Sequence, residues 1–318
     1  MTIDELEAVR LGDSEQWIRI RGRDFANPVL LLIQQGPGLP MINEARRFER
    51  VLGLEQDFTV VYWDQRGCGW SLRGQTTAAL SLNAMVVDTV SLLEYLRERF
   101  GTKVLVAGFS LGATIGALAA AQRPDLVATL VAVGMDIDGP AAETRAYDFA
   151  LATAHERGHK RAVRQLEKIG PPPHLRAEQF TTRVRWASDF GRVNLSANYG
   201  TLVRGLLASL LGSRDYSMAD VVRTVRGIAQ TQKALLPELA RIDLASMLTC
   251  IEVPVVMVQG RHDQVAPPAA AQRYVDLLEA PSKQLVWFQK SAHMPHLEEP
   301  AVFAKLLTQV QASLLPAP

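Results

Sequence analysis

Short apolar runs recur along the chain at Val29–Ile33, Phe58–Trp63, Val104–Ala107, Ala128–Val133, Val255–Val258 and Leu285–Phe288. They are bounded by Gly, Pro or Asp and lack the alternation of a half-buried strand, so each predicts a strand buried on both faces. Between the runs the apolar positions change to helical spacing. Helices are expected over Ala84–Phe100, Leu111–Gln122, Pro267–Leu278 and Pro300–Leu314. Strand and helix in alternation predict an α/β fold, a mostly parallel sheet with helices on both faces. Gln16–Arg21 alternates instead, with Trp17 inward and Ile18 or Ile20 as further inward candidates. That pattern suits an antiparallel edge strand.

The pattern breaks between Gly139 and Ser246, where strand-like runs vanish. Leu202, Val203, Leu206, Leu207, Leu210 and Leu211 fall on one helical face. Ser217 and Asp220 have the spacing of a capping box, and Pro171–Pro173 interrupts the segment. The predicted organisation is a core domain of residues 1–138 and 247–318 with a helical insertion at 139–246.

Composition narrows the function classes. The 318 residues are 48% hydrophobic and 21% charged, with a net charge of +1. That balance gives no field toward nucleic acid or a membrane surface, so neither is an expected partner. Two cysteines, Cys68 and Cys250, make no disulfide framework. Cys68 reads as a small buried filler. The N-terminal MTIDELEAVR is acidic where a secretion signal is basic, which points to a cytoplasmic protein. No CxxC, HExxH or phosphate-binding glycine loop is found, so no metal or cofactor is expected.

The chemistry concentrates at Gly108-Phe109-Ser110-Leu111-Gly112, between a predicted strand and a predicted helix. A nucleophile elbow needs that setting: a sharp turn with small flanking residues and a helix N-terminus aimed at the serine. A serine also needs a base and a group to orient it. Asp263 follows the Val255–Val258 run and His293 follows Leu285–Phe288. The order Ser110, Asp263, His293 is the Ser…Asp…His order of a doubly wound hydrolase sheet. His262 and His296 are rival bases, and Asp136 and Asp138, after Ala128–Val133, are rival acids whose plainer reading is a solvated turn. For an oxyanion hole the expected donors are the N–H groups of Leu111 and Gly36, the latter in the loop Gln34-Gln35-Gly36-Pro37-Gly38.

Three of these segments carry a family resemblance. Asp64-Gln65-Arg66-Gly67-Cys68-Gly69-Trp70-Ser71 resembles the DQRGxGxS loop of proline iminopeptidase-like α/β-hydrolases. Gln34–Gly38 stands where that group has HGGPG, and Ser291–Pro300 is similar to the histidine loop of cap-bearing α/β-hydrolases. The resemblance covers the two core segments and implies that 139–246 is a cap over the site. Two features depart from it. Gln34 and Gln35 replace His and Gly, and the elbow reads GFSLG rather than GGSWG.

The expected activity is therefore that of a cofactor-free serine hydrolase cleaving an ester or amide of a small molecule through an acyl-enzyme. A proline iminopeptidase, a carbon–carbon bond hydrolase, a perhydrolase and a non-catalytic ligand-binding protein of the same fold are the alternatives. Residues 141–245 carry sixteen Lys and Arg against ten Asp and Glu, a net of +6. A basic lid favours neutral or anionic substrates over an α-ammonium, unless Glu143, Asp148 or Asp189 faces inward. Gln34, Gln35, Phe109, Trp186 and Tyr199 are candidate substrate-binding residues, with Phe190 and Tyr216 as further aromatic candidates.

Overall fold

The computed structural model describes residues 1–73, 79–191 and 193–313. Eight strands form one sheet: β1 (Ile3–Leu11), β2 (Ser14–Gly22), β3 (Val29–Ile33), β4 (Thr59–Asp64), β5 (Val104–Phe109), β6 (Val127–Val133), β7 (Val255–Gly260) and β8 (Lys283–Phe288). Their spatial order is β1-β2-β4-β3-β5-β6-β7-β8. The pairs β1–β2 and β2–β4 are antiparallel and every later pair is parallel.

Side chains alternate across this sheet, and both faces are covered, which is why the central runs are continuously apolar. Leu31, Ile33, Val61, Val106, Leu130 and Met257 share one core with the helices α2 (Leu82–Phe100), α3 (Leu111–Gln122) and α10 (Pro268–Leu277). Leu30, Leu32, Val60, Leu105, Val131 and Val258 pack on the other face. Phe48 of α1 (Ala45–Leu52) and Phe303 and Leu307 of α12 (Pro300–Ala312), which follows the one-turn α11 (Pro295–Glu298), cover them there. The expected C-terminal helix ends at Ala312, and Leu314 lies outside the described residues.

The first two strands differ from expectation. β2 is an interior strand, flanked by β1 and β4. Ile18 and Ile20 are fully buried in the first core, whereas Trp17 lies half-buried on the opposite face, edge-on to Trp70. The edge on this side is β1, with β8 at the other end; β1 has exposed acidic positions, and Arg99 of α2 binds both Glu5 and Glu7. Charges on an edge strand prevent further pairing, and the same charges hide it from a hydrophobic pattern search.

Between β6 and β7 the described residues form helices only: α4 (Gly139–Glu156), α5 (Lys160–Ile169), α6 (Ala177–Asp189), α7 (Tyr199–Gly212), α8 (Met218–Leu239) and α9 (Leu244–Met247). Tyr147, Ala150, Leu166, Trp186 and Phe190 make a small core of their own. The Ser217–Asp220 capping box opens α8. On α7 only Leu210 is fully buried, while Val203, Leu207 and Leu211 are exposed.

The DQRG segment ties these parts together at the end of β4. The buried Asp64 carboxylate accepts from the backbone N–H groups of Met41 and Ile42 at 2.8 and 2.9 Å, and of Trp70 at 2.8 Å. It also accepts from the Tyr216 hydroxyl. Burial raises its pKa in spite of these donors. A Cβ on Gly69 would fall 1.9 Å from Asp64 Oδ2, so only glycine fits there. Arg66 is buried between Asp88 at 2.5 Å and Asp13 at 2.7 Å. Ser71 Oγ accepts from Trp17 N–H at 2.8 Å. Cys68 is buried, its thiol pKa pushed well up by burial. The signature pins the loop after β3 and the start of α8 against the sheet.

Candidate active site

Ser110 occupies the turn between β5 and α3 with φ 50° and ψ −120°. Among the described residues it is the one non-glycine with positive φ. Such a backbone costs of order 1–3 kcal/mol and persists where its surroundings impose it. Here the surroundings are close. A Cβ on Gly108 would lie 2.4 Å from Gly112 O, and one on Gly112 would lie 2.3 Å from Ile33 O. The two glycines let α3 descend onto the end of β3 and present Ser110 at its N-terminus.

His293, in the loop after β8, meets Ser110 Oγ through Nε2 at 3.0 Å and Asp263 Oδ2 through Nδ1 at 2.9 Å. A carboxylate accepts, so Nδ1 carries the proton and the Nε2 lone pair faces the serine hydroxyl. Asp263, fully buried after β7, is held by its own loop. Its Oδ1 accepts from Val265 N–H at 2.7 Å and Ala266 N–H at 2.9 Å, and its Oδ2 from Gln259 Nε2 at 3.0 Å. Burial works against the imidazolium, but the Asp263 and Asp136 carboxylates outweigh it, so the His293 pKa is raised.

Ser110 opens into a cavity of about 140 Å³. That is small beside the roughly 300–1,000 Å³ of drug-sized sites. Gly36, Pro37 and Leu111 form its floor with the serine, and Phe180, Val184 and Leu236 contribute an apolar wall from α6 and α8. Gly36 has φ 69°. Gly38 passes so close under α8 that a Cβ would fall 2.8 Å from Ile228 Cα.

Residues 37–306 match the model of the Alpha/beta hydrolase family. The chain belongs to that family. It is an enzyme of the hydrolase class. A probable aminopeptidase, YbaC, of Bacillus subtilis is 30% identical over 96% of this chain and 95% of its own length. A proline iminopeptidase of Heyndrickxia coagulans is 22% identical over 88% of each. The crystal structure of the Mycobacterium smegmatis proline iminopeptidase superposes with a TM-score of 0.65 at 18% identity, over 98% of both chains. Among the described residues of this α/β-hydrolase, no helix is long and apolar enough to cross a membrane.

The rival residues have other places in the hydrolase. His262 is exposed. His296 is buried against Phe109, with ring centroids 4.2 Å apart, and burial lowers its pKa to about 3, so it stays neutral. Asp138 caps α4, accepting from Ala141 N–H at 2.9 Å. Asp136 corrects the solvated-turn reading. It lines the cavity, with Oδ2 3.4 Å from Ser110 Oγ, and burial raises its pKa. The sequence shows an aspartate directly after a buried strand; the enclosing residues from α4 and α6 are distant in the chain.

None of the five substrate-binding candidates is in the cavity wall. Gln34 folds onto its own loop, donating to Pro40 O at 2.6 Å and accepting from Gln35 N–H at 2.7 Å. Gln35 lies outside the lining residues. Phe109 is in the core beside Phe48 and Phe303, because alternation on β5 turns it away from the cavity. Trp186 stacks on Phe190 in the core of the insertion. Tyr199 begins α7, its N–H bonded to Asp189 at 3.0 Å, and Tyr216 is engaged by Asp64.

In their place α4 supplies Glu143 and α6 supplies Arg183. Arg183 Nη1 lies 2.7 Å from Glu143 Oε1. Sequence reading overlooks Arg183, yet a signal exists. Phe180, Arg183, Val184 and Ala187 are spaced i, i+3, i+4, i+7, and all four line the cavity. An arginine within an otherwise apolar stripe marks a charge drawn inward. Asp148 is exposed.

Proposed function

We propose that this α/β-hydrolase cleaves an ester or amide of a small molecule through an acyl-enzyme on Ser110. The observation that carries the reading is the continuous relay from Ser110 Oγ through His293 to Asp263, opening on a small cavity. In this mechanism His293 Nε2 takes the Ser110 proton as Oγ attacks the scissile carbonyl. The N–H groups of Leu111 and Gly36 stabilise the oxyanion. His293 then protonates the leaving alcohol or amine, and the acyl-enzyme forms. Water, deprotonated by the same imidazole, hydrolyses it. Asp263 keeps the proton on Nδ1 and steadies the imidazolium. Residues 139–246 act as the cap that supplies the walls and excludes bulk water.

A fluorophosphonate label and peptide mapping test the nucleophile. Label should be found on Ser110, and Ser110→Ala should lose labelling and about 10⁴-fold or more in kcat. Label retained by a folded Ser110→Ala protein would overturn the mechanism.

One observation favours a narrower reading, an aminopeptidase. In an aminoacyl substrate the ammonium is on the carbon next to the attacked carbonyl, and so stands beside Ser110 Oγ. The Asp136 carboxyl is at that place. The relatives named as aminopeptidase and proline iminopeptidase support it, while the +6 charge of the insertion does not oppose it, since Glu143 and Asp136 both line the cavity. Comparison of an amino-acid p-nitroanilide with its N-acetyl form tests this narrower reading; equal rates would remove it.

A further inference from the structure

Three charged side chains share the wall of one small, mostly apolar cavity: Asp136 after β6, Glu143 on α4 and Arg183 on α6. On both helices the charge interrupts an apolar stripe. Gly139, Ala142, Glu143 and Ala146 repeat on α4 the i, i+3, i+4, i+7 spacing already seen on α6. A charge in such a wall costs several kcal/mol unless partners answer it.

Glu143 is answered. Its Oε2 accepts from His174 N–H at 3.3 Å, and its Oε1 faces the Arg183 guanidinium. Arg183 is answered only in part. Its approach to Glu143 is close but out of line, and Nη1 has no hydrogen-bond partner among the described residues. Burial lowers its pKa only to about 10, so it remains a cation at neutral pH. Asp136 has one long side-chain contact, Oδ2 3.4 Å from Ser110 Oγ, whose single proton is directed to His293 Nε2. The free enzyme thus sets a cation and an anion on one cavity wall; they attract each other, yet Arg183 Nη1 and the Asp136 carboxyl each lack a close hydrogen-bond partner among the described residues.

We propose that these two groups take the two charges of one acyl unit, an α-ammonium at Asp136 and a side-chain carboxylate at Arg183, as in an N-terminal glutamyl or aspartyl residue. The inference rests on the aminopeptidase reading and adds its side-chain specificity. The ammonium must stand beside Ser110 Oγ, where Asp136 is. The side-chain carboxylate projects farther from the scissile carbonyl, toward the helical wall that holds Arg183. A zwitterionic acyl unit adds no net charge to the cavity. An acid lacking the ammonium would leave Asp136 facing another anion, and a neutral side chain would leave the Arg183 donors unanswered.

The test is a set of kcat/KM ratios for glutamyl, glutaminyl and N-acetylglutamyl p-nitroanilides, with p-nitrophenyl butyrate as a probe of Ser110 chemistry alone. The wild type should prefer glutamyl to glutaminyl by at least about tenfold, and glutamyl to N-acetylglutamyl by a similar factor. In Arg183→Gln the glutamyl-to-glutaminyl ratio should fall to about one, and Arg183→Lys should keep part of it, since a point charge replaces the fork. A wild-type ratio of one or less overturns the proposal without any variant. A ratio unchanged in Arg183→Gln also overturns it, leaving Arg183 a counter-ion of Glu143. Butyrate turnover without turnover of any anilide would sink the proposal while the serine hydrolase stands; no turnover of either substrate class would sink both.

Discussion

Asp136→Asn should make the protein more stable. Asp136 lines the cavity half-buried, and its pKa is raised because desolvation outweighs the attraction of His293 and Arg183. A carboxyl whose folded pKa lies above its unfolded value binds a proton more tightly when folded. Below the unfolded value, near 3.8, it is protonated in both states and has no effect. As pH rises from the unfolded value toward the raised folded value, the unfolded chain releases this proton first and the fold is progressively penalised; above the folded value the penalty is constant. Asn keeps the shape without the charge. The stability gap should therefore be small near pH 4, widen with rising pH and level off once Asp136 is fully ionised. Relief of a single functional-site strain of this kind is worth about 0.5–2 kcal/mol. For a chain of this size that is a melting-temperature rise of about 1–4 °C at the plateau.

The same substitution should alter catalysis in a defined direction. The Asp136 carboxylate is one of the groups that raise the His293 pKa. Without it the imidazole gives up its proton at lower pH, so the acid limb of kcat/KM should move downward. Differential scanning calorimetry between pH 4.5 and 8 and a pH–rate profile with a neutral ester check both halves. A melting temperature equal to or below wild type across that range, or a gap that narrows as pH rises, would refute the electrostatic account of Asp136.

Other consequences are as specific. The wild-type kcat/KM should fall on the acid side with an apparent pKa above the ordinary imidazole value of about 6.5, because the base must be neutral and its pKa is raised; a limb below that value would contradict the carboxylate pair around His293. Gly112→Ala places a Cβ 2.3 Å from Ile33 O and 2.5 Å from Gln34 O. It should cost about 1–3 kcal/mol in urea unfolding and, by displacing Leu111 N–H from Gly36, on the order of 100-fold in kcat. Asp88→Ala removes the buried partner of Arg66. It should cost about 3–5 kcal/mol of stability while the folded fraction keeps its kcat/KM; loss of activity at full stability would place the DQRG loop in the chemistry.

The sheet is legible in the sequence because both its faces are covered, and a short continuous apolar run between turn residues is what a doubly covered strand requires. The edge strand β1 is not legible, since its position requires the charges that Arg99 binds. Ser110, Asp263 and His293 are legible for a related reason. Each follows directly on a predictable strand, so locating the strand ends locates the residues that could converge. Asp136 meets the same criterion yet reads as a solvated turn, since whether a turn after a strand is wet or enclosed depends on α4 and α6. The aromatic candidates fail because ring size alone does not distinguish a binding surface from a core. Phe109 and Trp186 are large enough to be drawn into packing, Phe109 by strand alternation and Trp186 by the core of the insertion.

The most distinctive motif and the charged groups that line the cavity reside in different parts of the chain. The DQRG segment is distinctive because its constraints are local and steric. A glycine must clear Asp64 Oδ2, an aspartate must gather four donors, and an arginine must fit between Asp88 and Asp13. Those demands specify a scaffold and are independent of what the enzyme cleaves. The charged groups that face the cavity come instead from α4, α6 and the turn after β6, where a single charge inside an apolar stripe alters the chemistry presented to Ser110 without disturbing the helix. Relatives can therefore share the signature and the fold while Glu143, Arg183 and Asp136 are free to differ. Substrate preference in this architecture is better sought in inward-facing charges of the insertion than in the motif that identifies the family.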